Sequence, residues 1–145
     1  MIFRLATRED LPVVLGLLAD SGEERAEVTG AHERAFAAIE ADARNEMLVL
    51  VEDGTVLGCL QLTYVPGLGQ GGRERALVEA VRVRADRRGG GLGAELMRLA
   101  VARAHERGCG LVQLTSNKQR ADAHRFYERL GFARSHEGFK LHLEH

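Results

Sequence analysis

Four of the five positions from Gly89 to Gly93 are glycine, and Arg87 and Arg88 stand immediately before them. Glycine is costly inside a helix, and loops rarely need so many bare positions together. The run follows the β-branched stretch Val78 to Val83 and precedes Leu92 to Arg107, whose apolar residues recur at helical spacing. A strand, a glycine run and a helix start make a site for an anion. Several backbone N–H groups can approach it, and the helix dipole favours negative charge. That dipole supplies only about 0.3–1 kcal/mol per charge at an exposed position. The free N–H groups and the arginines must therefore supply much of the affinity. A pyrophosphate is the ligand this arrangement fits.

The stretch lacks GxxxxGK[ST], which removes P-loop NTPases. A literal GxGxxA runs from Gly89 through Gly91 to Ala94, as in a dinucleotide fingerprint. The acid expected about 20 residues further on is missing, since none lies between Glu106 and Asp122. A second chemical group stands upstream. In ALVEAVRV, Ala76 to Val83, period-two alternation puts Glu79 in phase with Leu77, Val81 and Val83. A carboxylate in such an apolar row is desolvated, which raises its pKa toward the range of a general base. The competing role for Glu79 is a solvated strand end or an ion pair with Arg82 or Arg75.

An ordered series of elements must position these groups. Ile2 to Ala6 alternates as a strand, and Thr7 caps a helix carrying Leu11, Val14, Leu15 and Leu18. Ser21 to Gly30 is a polar, acidic loop, and Ala31 to Arg44 a second helix. Met47 to Glu52 and Val56 to Val65 form a hairpin about Asp53-Gly54. The Gly-rich Pro66 to Arg75 leads to a strand over Ala76 to Arg84, then to the helix over Leu92 to Arg107, stopped by Gly108. A strand over Leu111 to Thr115, a helix over Arg120 to Leu130 and a last hairpin, Phe132 to His136 with Phe139 to Leu143, complete the chain. The order β-α-α-β-β-β-α-β-α-β-β predicts one α/β domain over residues 1–142, a mixed sheet with helices on both faces. Leu143-Glu144-His145 match the start of an LEHHHHHH expression tag and are set apart from function.

Composition narrows the function classes. At 145 residues the chain fits one domain, and its net charge of -1 offers no basic field for nucleic acid or an anionic membrane. Trp is absent and aromatics are 5%, so base-stacking platforms are not expected. Leu11 to Ala19, the longest apolar run, is too short to span a bilayer. Cys59 and Cys109 form no CxxC, and buried reduced thiols in the cytoplasm are expected, with no metal site.

Arg88-Gly89-Gly90-Gly91-Leu92-Gly93 resembles the R/Q-x-x-G-x-G/A signature of the GNAT acetyltransferase superfamily. The preceding Val81-Arg82-Val83 fits the same core, and LTSNKQRADAHRFYERLGF, Leu114 to Phe132, is similar to its second half. The resemblance implies an acetyl-CoA-binding N-acetyltransferase with a GNAT-like fold. It implies that the backbone of Val81, Arg82 and Val83 runs beside the pantetheine arm as an added strand. Arg88 and the amides of Gly89, Gly90, Gly91, Leu92, Gly93 and Ala94 would hold the pyrophosphate. Asn117 would contact the cofactor arm, or cap the following helix. Tyr127 would face the thioester sulfur as general acid, its competing role being a core tyrosine beside Phe126. Glu79 would act as base through water.

The same block, particularly KQRADAHRFYERLGFARSHEGFK, resembles aminoalkylphosphonate and other small-amine acetyltransferases. That favours a small-molecule amine as acceptor over a protein N-terminus or lysine. The acceptor site would be built from Ser21 to Gly30 and from Pro66 to Arg75, with Tyr64 nearby. Glu23, Glu24 and Glu27 form a solvated face or else suit a cationic amine, while Lys118, Arg120 and Arg125 suit an anionic substrate or the CoA phosphates. A CoA-binding sensor without turnover is the alternative from another class. Edge strands near the last hairpin suit a homodimer.

Overall fold

Alternating apolar segments in the first part of the chain pair into a sheet, and two sets of apolar helix stripes cover it. The structure, a computed structural model, describes residues 1–19, 21–116 and 120–145. Two compact units divide the chain, Met1–Gln113 and Leu114–His145.

The first unit opens with β1 (Ile2–Leu5), a 3-10 turn (Arg8–Asp10) and α1 (Leu11–Ala19). Thr7 caps this start as expected: its N–H donates to Asp10 Oδ2 at 2.7 Å, and Arg4 Nη1 donates to the same oxygen at 2.7 Å. Next come α2 (Gly30–Ala41), β2 (Asn45–Glu52), β3 (Thr55–Val65) and β4 (Arg75–Val83). A 3-10 turn (Ala85–Arg87) and α3 (Leu92–Arg107) follow, then β5 (Leu111–Leu114), whose last residue is the first of the second unit. Helix α2 stops three residues before the expected Arg44. Asp42 turns the chain there, its carboxylate accepting from Arg44 N at 2.8 Å and Asn45 Nδ2 at 3.0 Å.

The five strands lie in the order β1-β2-β3-β4-β5, with β1–β2, β2–β3 and β3–β4 antiparallel. One face carries Met47, Val49, Val51, Val56 and Cys59 against Leu11, Val14 and Phe36 from α1 and α2. On β3 the opposite face carries Gly58, Leu60, Leu62 and Tyr64, and α3 covers that side with Leu96, Met97, Ala100 and Ala104 buried. Helices therefore lie on both faces, as the element order predicts. Gly58 permits the close fit, since a Cβ there would stand 2.8 Å from Arg82 O and 2.9 Å from Leu96 Cδ1.

The β3–β4 ladder is not continuous. Cys59 pairs with Arg82 and Gln61 with Glu79, so Leu60 faces both Ala80 and Val81. Ala80 takes a left-handed φ of 57°. This is a β-bulge, with one extra residue in β4.

The second unit holds α4 (Ala121–Arg129), which Gly131 ends with a φ of 98°. The last hairpin expected over Phe132–His136 and Phe139–Leu143 is corrected by the structure: among the described residues, 132–145 contains no strand. Phe139, Leu141 and Leu143 keep the period of a strand but are 92%, 86% and 73% exposed. Alternation predicts a strand only where one face is buried, and an isolated two-stranded hairpin is marginal in water.

Candidate functional site

The glycine run becomes a turn that opens α3. Gly89 and Gly91 adopt φ values of 82° and 84°, and Gly91 is the N-cap of α3. A side chain at either position is disfavoured by its left-handed backbone, at a cost of roughly 1–2 kcal/mol. The first intrahelical bond runs from Glu95 N to Gly91 O at 3.1 Å. The N–H groups of Leu92, Gly93 and Ala94 therefore have no partner within the helix. Arg88 and Gly89 to Gly91 are exposed, and Arg88 Nε donates to Val83 O at 3.2 Å, which anchors the arginine to the end of β4. Upstream, Arg84 pairs with Asp86 at 2.9 Å and with Glu24 at 2.9 Å, while Arg87 lies 3.5 Å from Glu52. First-turn amides without helical partners thus stand beside Arg88 at the end of a central strand, an arrangement whose chemistry suits an anion.

The bulge changes the reading of β4. Glu79, paired with Gln61, shares a face with Leu77, but Val83 pairs with Gly58 on the α3 side. The expected row of Leu77, Glu79, Val81 and Val83 is therefore broken at Ala80. Glu79 is exposed, so that row does not desolvate it. Among the described residues it forms no ion pair with Arg82 or Arg75. Arg82 follows Cys59 onto the α1/α2 face, where Nη1 donates to Val81 O at 3.0 Å and Nε is buried without a partner. Burial pushes the Cys59 thiol up to about 12, so this cysteine is a packed apolar group. Cys109 is half-buried and also free.

Tyr127 lies on α4 in the second unit, half-buried, edge-on to Phe126 at 5.2 Å and to Phe132 at 6.0 Å between ring centroids. Asn117 and Lys118, expected at the cofactor and at anionic groups, lie outside the described residues. Glu79, Val81 to Val83 and Arg88 to Ala94 follow one another on β4, the glycine turn and α3 of the first unit.

Tyr64 does not line an acceptor site. It is 1% exposed, and its hydroxyl donates to Glu46 Oε1 at 2.5 Å. Arg103 grips the same carboxylate through Nε at 2.8 Å and Nη2 at 2.6 Å. Arg107 stacks on the Tyr64 ring with its guanidinium carbon 3.9 Å from the centroid, and pairs with Glu74 at 3.0 Å. The Arg103 hydrogen bonds hold the Glu46 carboxyl below its ordinary pKa, whereas burial pushes the Tyr64 phenol up. Sequence reading missed this cluster, although Arg103 and Arg107, four apart on one helix face, were its visible signal.

The profile of the Acetyltransferase (GNAT) family matches residues 14–132, which include parts of both units. The aminoalkylphosphonate N-acetyltransferase of Salmonella typhimurium is 31% identical over 94% of this chain and 87% of its own. The streptothricin acetyltransferase of Streptomyces lavendulae is 33% identical over 77% of this chain and 51% of its own. A solved structure described as a transcriptional regulator from Bacillus halodurans C-125 superposes with a TM-score of 0.91 at 44% identity, covering 98% of this chain and 99% of that one.

Proposed function

The chain belongs to the acetyltransferase (GNAT) family, and from that membership we propose that it moves an acetyl group from acetyl-CoA to the primary amine of a small molecule. One observation carries the reading: Gly89 and Gly91, both left-handed, open α3 immediately beyond β4 and leave the first-turn amides of Leu92, Gly93 and Ala94 without helical partners. Those amides and Arg88 hold the cofactor pyrophosphate, the backbone of Val81 to Val83 runs beside the pantetheine arm, and Asn117 completes the arm's contacts. Residues 1–142 act as one catalytic domain in the cytoplasm.

A thioester is already activated, so no covalent enzyme intermediate is needed. The amine nitrogen attacks the carbonyl carbon within a ternary complex, forming the C–N bond, and the C–S bond then breaks. An alkylammonium has a pKa of about 10, so its neutral form costs about 4 kcal/mol at neutral pH. Glu79 takes that proton through water, a role its exposure permits. A backbone N–H at the bulge, that of Val81, stabilises the carbonyl oxygen as charge develops. Tyr127 donates a proton to the departing CoA sulfur.

The relatives that acetylate an aminoalkylphosphonate and streptothricin support a small-molecule acceptor over a protein amine. A second reading, a CoA-binding sensor, rests on the resemblance to the B. halodurans regulator. Thiol release from acetyl-CoA, followed across a panel of small amines and peptide amines, separates them. The enzyme reading expects release that depends on a small amine. Binding of acetyl-CoA with no acceptor-dependent release from any amine would leave the sensor.

A further inference from the structure

Arg82 is out of place for a residue whose neighbours are read as flanking a cofactor. The extra residue at Ala80 turns its side chain away from the α3 side and onto the face it shares with Glu79. The two stand opposite Cys59 and Gln61, which are two β3 positions apart, about 7 Å along the strand. Between them lies the bulge. A carboxylate and a guanidinium thus flank one irregularity in the ladder, on one face, without pairing to each other.

The guanidinium is half-buried, and no acid among the described residues neutralises it. Its Nε is enclosed without a partner and its Nη1 is directed to Val81 O at 3.0 Å. That bond ties Nη1 to the bulge, and Nη2 donates to no group among the described residues. Partly buried cations are ordinarily paired, because removing them from water is unfavourable without an opposite charge. Glu79 presents the complementary case: an exposed carboxylate with no cation paired to it among the described residues, able to receive an ammonium group. Gln61, half-buried and directly across from Glu79, adds an amide that can bond either charge.

We propose that Glu79 and Arg82 form a two-charge acceptor site on the α1/α2 face of the sheet, selecting a small amine that also carries an anionic group. The amine lies at Glu79, and the phosphonate or carboxylate takes Nη2 of Arg82. This rests on the acetyl-transfer reading for the identity of the reacting amine, but the charge pattern stands on the bulge alone.

Calorimetric titration of the CoA-saturated protein with 2-aminoethylphosphonate, β-alanine and n-propylamine tests it. At least one of the two anionic amines should bind about tenfold more tightly than n-propylamine. In Arg82→Gln that preference should fall below about threefold, with CoA affinity within about twofold of the wild type. Arg82→Lys, which keeps the charge but not the fork, should retain part of it. Phosphonate and carboxylate are told apart by which of the two binds more tightly. Equal binding of all three amines to the wild type overturns the proposal, as does an Arg82→Gln variant that loses CoA as strongly as it loses the anionic amine. If the preference is found while no amine releases thiol from acetyl-CoA, the transfer reading fails and the two-charge site stands.

Discussion

Glu46 accepts hydrogen bonds from Tyr64 and from two nitrogens of Arg103, and so ties β2 to β3 and both to α3. Its folded-state pKa is lowered, chiefly by Arg103. The stabilisation is therefore fully present above the ordinary carboxylate pKa and is lost as pH falls through the lower, folded value. Glu46→Gln should cost about 1–3 kcal/mol near neutral pH, because Arg103 loses its counter-charge in a partly buried place. The stability gap between wild type and variant, measured by urea unfolding, should stay constant from pH 7 to about 5 and narrow below about 4. A gap independent of pH would remove the ion pair as its cause. At the proposed reaction centre, Glu79→Gln should lower kcat by about 10²-fold or more with little change in the KM for acetyl-CoA. Tyr127→Phe should likewise reduce turnover more than cofactor affinity. Equal losses of both in steady-state kinetics would make Tyr127 a packing residue beside Phe126 and Phe132.

Elements were legible in the sequence where a pattern had one cause. Helix α3 runs over Leu92–Arg107 as its spacing predicts, because Gly91 and Gly108 bracket a single amphipathic stripe. Strand β4 was legible as a strand but not in its phase. The bulge sits at Ala80, a non-glycine residue with a φ of 57°, and no residue type there announces it. Its cause is the tertiary ladder with β3, which period-two counting along one strand cannot contain. The terminal hairpin failed for the opposite reason: Phe139 and Leu141 alternate correctly but bury no face. Gly58 adds a test of the layer contact. Gly58→Ala places a methyl 2.8 Å from a backbone carbonyl, which cannot move like a side-chain tip. It should lower stability by about 1–3 kcal/mol, read from the denaturant midpoint. An unchanged midpoint would mean that α3 and β4 yield easily.

At the scale of the whole chain, the fold class, the order of the first nine elements and the glycine turn were all readable, because each depends on local pattern. The partners of Glu46, the face of Arg82 and the burial of Tyr64 depend on which strands and helices meet. Those contacts are set by packing across the sheet. No helix among the described residues is long and apolar enough to cross a membrane. The functional account rests on the turn before α3 receiving a diphosphate, and calorimetry with coenzyme A measures that directly. The wild type should give saturable heat with a dissociation constant in the micromolar range, on the order of 10⁻⁶–10⁻⁴ M. Replacing Gly89 and Gly91 together by alanine should weaken it by about tenfold or more, as the turn leaves its left-handed shape. No heat from the wild type with either acetyl-CoA or free CoA, or full affinity in the double alanine variant, would contradict the account.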